Sequence, residues 1–456
     1  MDGEHCLSLR KQCSLNYFLG KGRVELIKRI LTLCVLVLLS NGCIKANDGS
    51  LNQRFDSGTL RIMYEDEYIF YEDFGKIFSY YYPDVNLEII RPDNYSELLV
   101  NEEKLIQFIE QQRLDLVFLN RNQYRHVSSK GLIVNLEARI AQDSELNRDD
   151  FIKPVLDVLT LEGQGNIYGL APFFQSRALY YNKDLFDKFS IPYPEDHQRW
   201  DDVLRLSYQF SQSNSDQNTY GLYYPFHQEQ FNPFHLVSLM AESENLTMYN
   251  AQTNQFDLIG SRFEQLLELV ISGLQYGGIY QPDASDRQDQ FVAGHAAMRY
   301  EGYFYIGALQ SSQFQWDIVS EPVGHQQSIH YSLDDIFAIP VSSDNQDLAW
   351  TFIKFTVGDI FQKIKSSSTN RYGFPVTNTA FSTMFYRDVN YQAFYALEPD
   401  MNFMNEIKSE MPVTVNIAAI MQQESLEALN GSQTVEEAIR NMENRLNEQL
   451  HGKGMP

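Results

Sequence analysis

Leu60-Arg-Ile-Met-Tyr64, Val85-Asn-Leu-Glu-Ile89 and Leu114-Asp-Leu-Val-Phe-Leu119 are three short apolar runs, and what lies between them decides the fold. The first two alternate with period two, the pattern of strands whose side chains point to opposite faces. Between them Phe70, Phe74, Ile77, Phe78 and Tyr81 recur at helical spacing until Pro83 stops the helix. Leu105, Ile106 and Ile109 mark a second helix before the third run, which reads as a short buried strand. The order strand, helix, strand, helix, strand predicts an α/β fold with a parallel sheet flanked by helices. Ligands of such sheets sit beyond the carboxyl ends of the strands. That rule draws attention to Glu65, Asp66 and Glu67 after the first strand, and to Asn120, Arg121 and Asn122 after the third.

Working outward, Tyr168-Gly-Leu-Ala-Pro172 is a turn-rich segment that reads as a crossing between lobes. A strand over Ala178 to Tyr181 and a helical turn over Asp184 to Phe189 follow it. The spacing then predicts helices over Trp200 to Phe210, Phe234 to Met240 and Phe263 to Leu274, with a strand over Tyr220 to Tyr224. A strand-like segment from Ser332 to Pro340 is expected to return to the first lobe. Ser343 and Asp344 are candidate N-caps for a helix that buries Leu348, Ala349, Phe352 and Ile353. Near the end, Gly431 closes one helix, and Thr434 with Glu437 forms a capping box for the next, whose buried stripe is Val435, Ala438, Ile439, Met442 and Leu446. A chain of 456 residues exceeds what one core organises. Two lobes are expected, one of residues 59–170 plus 336–366 and the other of 171–335 plus 367–450, with a tether at 43–58.

The N-terminal region adds a location. Lys28 and Arg29 lead into the apolar run Ile30 to Leu39, too short for a membrane-spanning helix, which needs about 20 residues. Small and polar residues then precede Cys43, as at the cleavage site of a bacterial lipoprotein. Residues 1–42 read as a signal peptide and Cys43 as the lipidation site, where two acyl chains would give a stable anchor. All four cysteines lie at or before Cys43, so the remaining chain has no thiol for a disulfide, a thiolate metal site or a cysteine nucleophile. A net charge of −24 without clustered Lys or Arg excludes nucleic acid and anionic lipid as partners, leaving the lipid anchor as the membrane contact. Zinc-helix, phosphate-loop and serine-elbow signatures are absent from the sequence. No cofactor or metal is expected, and a binding protein is favoured over the rival class, an exported glycosidase with two carboxylates.

Seven stretches in order resemble the family 1 extracellular solute-binding proteins of ABC importers. They are Asp115-Leu-Val-Phe118, Tyr168-Gly-Leu-Ala-Pro172 running into Leu179-Tyr-Tyr-Asn-Lys-Asp-Leu185, Trp200-Asp-Asp-Val203, Gly294-His-Ala-Ala-Met298 with Gly302, Asp347-Leu-Ala-Trp350 with Phe352-Ile-Lys-Phe355, Gly373-Phe-Pro375, and Thr434-Val-Glu-Glu-Ala438. The resemblance implies a type II periplasmic-binding-protein fold, with two lobes of mainly parallel sheet closing by hinge motion on a carbohydrate. It also implies a monomer that is exported, anchored at the outer face of the cell membrane or in the periplasm, and delivers its sugar to the permease subunits. Ligand positions carried over from the family, together with those placed after strand ends, are Asp66, Asn122, Phe174, Gln175, Glu229, Phe231, Tyr303, Phe304 and Asp335. Maltose-binding members carry a tryptophan and an acid where Leu119 and Asn122 stand, and another tryptophan where Met421 stands, so this chain departs from them. The same fold with a polyamine or a ferric ion is the alternative, the latter suggested by Tyr180-Tyr181 and Tyr223-Tyr224, one ring of each being expected to face the core.

Overall fold

The computed structural model describes residues 58–213, 219–224, 232–280, 288–324, 328–329, 333, 335–366, 376–381, 389–399 and 416–452. The signal peptide, Cys43, Glu229 and Phe231 lie outside the described residues. Among those described, no helix is long and apolar enough to cross a membrane.

Two sheets organise the chain. The first is built from β1 (Gly58–Met63), β2 (Val85–Ile90), β3 (Leu116–Leu119) and β4 (Gly169–Leu170). The second holds β5 (Arg177–Asn182), β6 (Tyr220–Tyr223), β7 (Ala296–Gly302) and β8 (Trp316–Ser320). The chain then returns to the first sheet as β9 (Ile336–Ala338). Strand order is β2-β1-β3-β9-β4 in one sheet and β8-β5-β7-β6 in the other. The fold is a two-lobed α/β arrangement, with one correction in strand direction. β1 runs parallel to β2 and β3, as the alternating order requires, but β9 is antiparallel to both β3 and β4. In the second sheet β5 is antiparallel to β7 and β8, and only β6 is parallel to β7. The sheets are mixed because β5 and β9 are the strands that enter each sheet from the other one, and they run against their neighbours.

Apolar periodicity explains the packing. In the first lobe Leu60 and Ile62 are fully buried, and the outward Arg61 meets Glu88 across the strand pair at 2.6 Å. An aromatic layer fills the space above this sheet, with Phe74 5.0 Å from Phe337 and Phe70 5.9 Å from Phe352. The helix expected from Phe70 to Tyr81 begins earlier, at Glu67, with Asp66 as its N-cap, and is broken by a π-turn over Tyr71–Gly75 where Lys76 N–H bonds Tyr71 C=O. Residue spacing reports the buried stripe but not this five-residue bonding. Ser343 and Asp344 do not cap the helix Gln346–Val357; Asn345 stands at its start without a side-chain cap. Ser343 instead donates to Asp115 Oδ1 at 2.7 Å, and Asp115 also accepts from Arg61 N–H at 3.0 Å. That carboxylate gathers three segments, while Ser343 Oγ also accepts from Asn345 N–H at 3.0 Å just ahead of the helix.

Both faces of the second sheet are covered. Leu179 and Tyr181 face one apolar layer with Trp200, Met298 and the last two helices, while Ala178 and Tyr180 face another with Ile306 and Phe394. Both rings of the Tyr180-Tyr181 pair are therefore buried, where one had been expected to be, because the second face also carries a core. The closing helices Ile417–Leu429 and Val435–Leu450 insert Ile420, Met421, Ala438, Ile439, Met442 and Leu446 into the first of these layers. The capping box forms in both directions, Glu437 N–H to Thr434 Oγ1 at 3.2 Å and Thr434 N–H to Glu437 Oε2 at 2.9 Å.

The passage from β4 to β5 is clamped. Gln362 and Thr377 are both fully buried. Gln362 donates to Pro172 C=O at 3.0 Å and Thr356 C=O at 2.8 Å, and accepts from Asn378 N–H at 3.1 Å. Thr377 Oγ1 donates to Ala171 C=O at 2.9 Å. These bonds satisfy backbone groups of a buried crossing that no sheet ladder serves.

Candidate functional site

Antiparallel pairing builds the site. Arg177, the first residue of β5, is in register with Gly302, the last residue of β7. Ala178 pairs with Ser320, the last residue of β8, so Glu321 emerges beside Arg177. The ends of three strands thus converge where the chain has just crossed from the first sheet. The helix Pro233–Ser243 brings its last turn, Glu242 and Ser243, to the same place. The cavity they enclose is about 210 Å³ and is lined also by Gln175, Ser176, Tyr300, Glu301, Tyr303 and Phe304.

Its walls differ in character. Phe304 is 54% exposed, an unusual state for a phenylalanine, and its ring lies over Gly302, where an added Cβ would come 3.0 Å from the ring. Glycine at 302 leaves room for the ring beside the strand end. Tyr303 packs edge-on against Phe394 with centroids 5.3 Å apart, and Ser176 Oγ donates to Phe394 C=O at 2.6 Å. Tyr180 holds the turn from behind, donating to Gly302 C=O at 2.8 Å, so its hydroxyl is engaged in the scaffold.

The opposite wall is ionic. Tyr300 hydroxyl donates to Glu321 Oε2 at 2.5 Å. Burial pushes the Glu321 carboxyl up to about 7, against the opposing effects of the Tyr300 hydrogen bond and of Arg177. Arg177 stands 3.8 Å from Glu242 and 5.8 Å from the centre of the Tyr300 ring. Burial works against its charge, but Tyr300, Glu242 and Glu321 together hold it above the usual guanidinium value. Glu301 gives one oxygen to Arg299 at 2.8 Å and the other to Gly302 N–H at 3.0 Å. Arg299 in turn lies 3.7 Å from the centre of the Tyr305 ring and pairs with Asp289, which accepts from Tyr305 hydroxyl at 2.9 Å. Behind this wall Trp200 Nε1 donates to Ser243 Oγ at 2.6 Å, and its ring meets Tyr300 edge-on at 5.1 Å.

The structure brings three of the sequence-derived residues together here: Gln175, Tyr303 and Phe304. The others described lie elsewhere. Asp66 caps its helix, accepting from Ile69 N–H at 3.1 Å. Asn122 accepts from Arg125 at 2.8 Å on the exposed side of the helix Arg121–Ser129. Phe174 is 1% exposed and Asp335 is 8% exposed, so both are inside the protein and neither lines the cavity. The ring of Phe174, placed after a crossing, was drawn inward because its neighbour Gln175 takes the outward position. Met421, at the family's tryptophan position, is fully buried core. Sequence reasoning missed Arg177, Glu242, Tyr300, Glu301 and Glu321. The signal for Arg177 was its place two residues after Gln175, and for Glu301 its place before Gly302; Glu242 and Glu321 carried none, since only the tertiary pairing brings them near.

Comparison with known proteins bears on this geometry. Residues 102–392 match the family described as bacterial extracellular solute-binding protein, well over half of the chain. The chain belongs to that family. This solute-binding protein is 24% identical over 260 residues to a protein of Brucella abortus (strain 2308) whose name describes it as a binding protein, covering 56% of this chain. It spans about 61% of the length of the curated relatives it matches. Among solved structures it is similar to an ABC substrate-binding protein of Listeria monocytogenes in complex with cycloalternan, with a TM-score of 0.55 at 20% identity over 87% of this chain and 100% of that one. The sugar-binding protein MalE of Xanthomonas citri gives a TM-score of 0.60 at 14% identity over 87% and 98% of the two chains. An ABC transporter solute-binding protein of Agrobacterium vitis with bound D-mannitol gives 0.53 at 17% over 88% and 100%. At these identities the likeness is one of fold, and this solute-binding protein shares it along most of its length.

Proposed function

We propose that this solute-binding protein captures a carbohydrate in a cleft between its lobes, of which the cavity is the wall supplied by the second lobe, and delivers it to the permease of an ABC importer. The observation that carries the reading is the pairing of walls in the cavity: an exposed Phe304 face against a rim of planar hydrogen-bonding groups, Gln175, Arg177 and Glu242. A sugar ring has an apolar C–H face that stacks on an aromatic ring and an edge of hydroxyls that both donate and accept. At about 210 Å³ the cavity is below the roughly 300 to 1,000 Å³ of pockets that bury drug-sized ligands, which suits one sugar ring, free or at the end of a chain. Neighbouring folds solved with cycloalternan and with D-mannitol support the ligand class.

The remaining assignments go with this reading. Cys43 carries the lipid that tethers the protein outside the cell, and the lobes, 59–170 plus 336–366 and 171–335 plus 367–450, close over the sugar by hinge motion. The test is thermal unfolding of the full chain in detergent against mono- and oligosaccharides, polyols, polyamines and ferric citrate. Ligand at 100 times its Kd stabilises by about 2.7 kcal/mol. A shift with a sugar that Phe304→Ala or Gln175→Ala abolishes is expected. A shift with polyamine or iron and none with any sugar would refute the carbohydrate assignment.

A further inference from the structure

Phe304 stands more than half exposed, so burial does not fix the direction of its ring, and the backbone on either side has to. Before it, Gly302 N–H donates to Glu301 Oε1 at 3.0 Å and Gly302 C=O accepts from Tyr180 hydroxyl at 2.8 Å. Gly302 is also the N-cap of the short helix Tyr303–Ser311 and has no side chain with which to cap it. After Phe304, Tyr305 is buried, and its hydroxyl reaches both oxygens of Asp289, at 2.9 and 3.0 Å.

One residue joins these two supports. Arg299 of β7, 3% exposed, donates to Glu301 Oε2 at 2.8 Å and to Asp289, and its guanidinium lies 3.7 Å from the centre of the Tyr305 ring. Tyr223 of β6, in register with Arg299, gives it a second ring at 5.3 Å. Asp289 is itself pinned by the N–H groups of Phe291 and Val292, each at 3.0 Å. A planar guanidinium fork can hold two carboxylates in fixed directions at once, which a single ammonium cannot. Stability does not account for this group. A buried ion network gains little over apolar residues of the same size, and Arg299 Nε is a buried donor with no acceptor among the described residues. What the fork supplies is direction, and the residues it directs bracket Phe304.

We propose that Arg299 is a positioning residue of the site: lying outside the cavity lining, it holds Glu301 on the Gly302 amide and Tyr305 beside Asp289, so that Phe304 is presented in one direction before any solute arrives. The assignment rests on the reading that Phe304 stacks on the solute. A ring already held in place loses little freedom on binding, so Arg299 acts on affinity through Phe304 and through no contact of its own.

The experiment is a double-mutant cycle read by isothermal titration of the full chain in detergent, with glucose, maltose and D-mannitol as probes. Phe304→Ala should weaken the best-binding probe by about tenfold or more. Arg299→Lys keeps the charge but loses the fork, and should weaken it by about twofold to tenfold. That second loss should vanish in the Phe304→Ala background, whereas a general loosening of the protein would add to it. Tyr305→Phe leaves the ion pairs whole, so it carries the same cycle if Arg299→Lys does not fold, with a loss of about twofold or more that also vanishes without Phe304. Hydrogen exchange of the unliganded protein reads the support without a solute: Arg299→Lys should quicken the amides from Gly302 to Tyr305 by about fivefold or more. Additive losses, an unchanged affinity or an unchanged exchange in Arg299→Lys each overturn the assignment and leave the carbohydrate reading standing. Phe304→Ala without effect, or binding of none of the three probes, overturns the reading of Phe304 and the assignment with it.

Discussion

Replacing Glu321 by glutamine should make the unliganded protein more stable at high pH and leave it nearly unchanged in acid. The carboxyl lies at about 7 in the folded protein against 4.5 as its ordinary value, so between these limits the folded state holds a proton that the unfolded chain has released. For a group raised in this way, its contribution is most favourable below about 4.5 and is lost as pH rises towards 7. Each pH unit of displacement corresponds to about 1.4 kcal/mol, which makes the whole loss about 3 kcal/mol. Glutamine keeps the shape and an acceptor for Tyr300 but does not titrate. Urea unfolding of both proteins from pH 4.5 to 8.5 measures the difference directly, and subtracting one curve from the other cancels every other titrating group. The stability gap should open in favour of the variant by about 3 kcal/mol, with most of the change between pH 5 and 7. Parallel curves would refute the reasoning, because they would mean that the carboxyl is not held in a place that resists its charge. A gap opening the other way would mean that Arg177 holds Glu321 ionised more strongly than burial resists it.

Two further outcomes follow from the packing. Gln362→Ala removes two donors and one acceptor from buried backbone groups of Pro172, Thr356 and Asn378, and should destabilise by about 2 to 4 kcal/mol in urea unfolding, with faster amide exchange confined to the crossing and the helix Asp359–Ser366. Thr434→Ala opens the capping box of the last helix and should cost about 1 kcal/mol without changing ligand affinity, measured by the same unfolding assay and by titration.

The sequence made legible those parts of the molecule that local periodicity governs. Strands β1, β2 and β3 and the helices between them follow from spacing because each buries one stripe against its immediate neighbours in the chain. Thr434 and Glu437 announced a helix start because capping involves residues three apart. The π-turn at Tyr71–Gly75 was not legible, since the apolar stripe continues through it with little change. In the site, Gln175, Tyr303 and Phe304 were found because they follow strand ends or a crossing in the chain. Glu321 escaped because its proximity to Arg177 depends on the antiparallel register of β5 with β8, formed between segments more than a hundred residues apart, and Glu242 because it arrives on the end of the separate helix Pro233–Ser243. Ser343 stands two residues ahead of the N-cap Asn345, from whose N–H it accepts, while its own proton goes to Asp115, 228 residues earlier.

Trp200 touches the cavity wall at two points, through its bond to Ser243 and through the edge of Tyr300, yet is itself fully buried. The chain has three tryptophans; Trp350 lies in the other lobe with its Nε1 on Asp143, and Trp316 stands at the start of β8, the end remote from Glu321. Replacing Trp316 and Trp350 by phenylalanine leaves one indole, shielded from solvent quenchers and in contact with two residues that a bound solute would press. The emission of that indole makes the protein its own optical gauge of occupancy, readable in suspension without a dye.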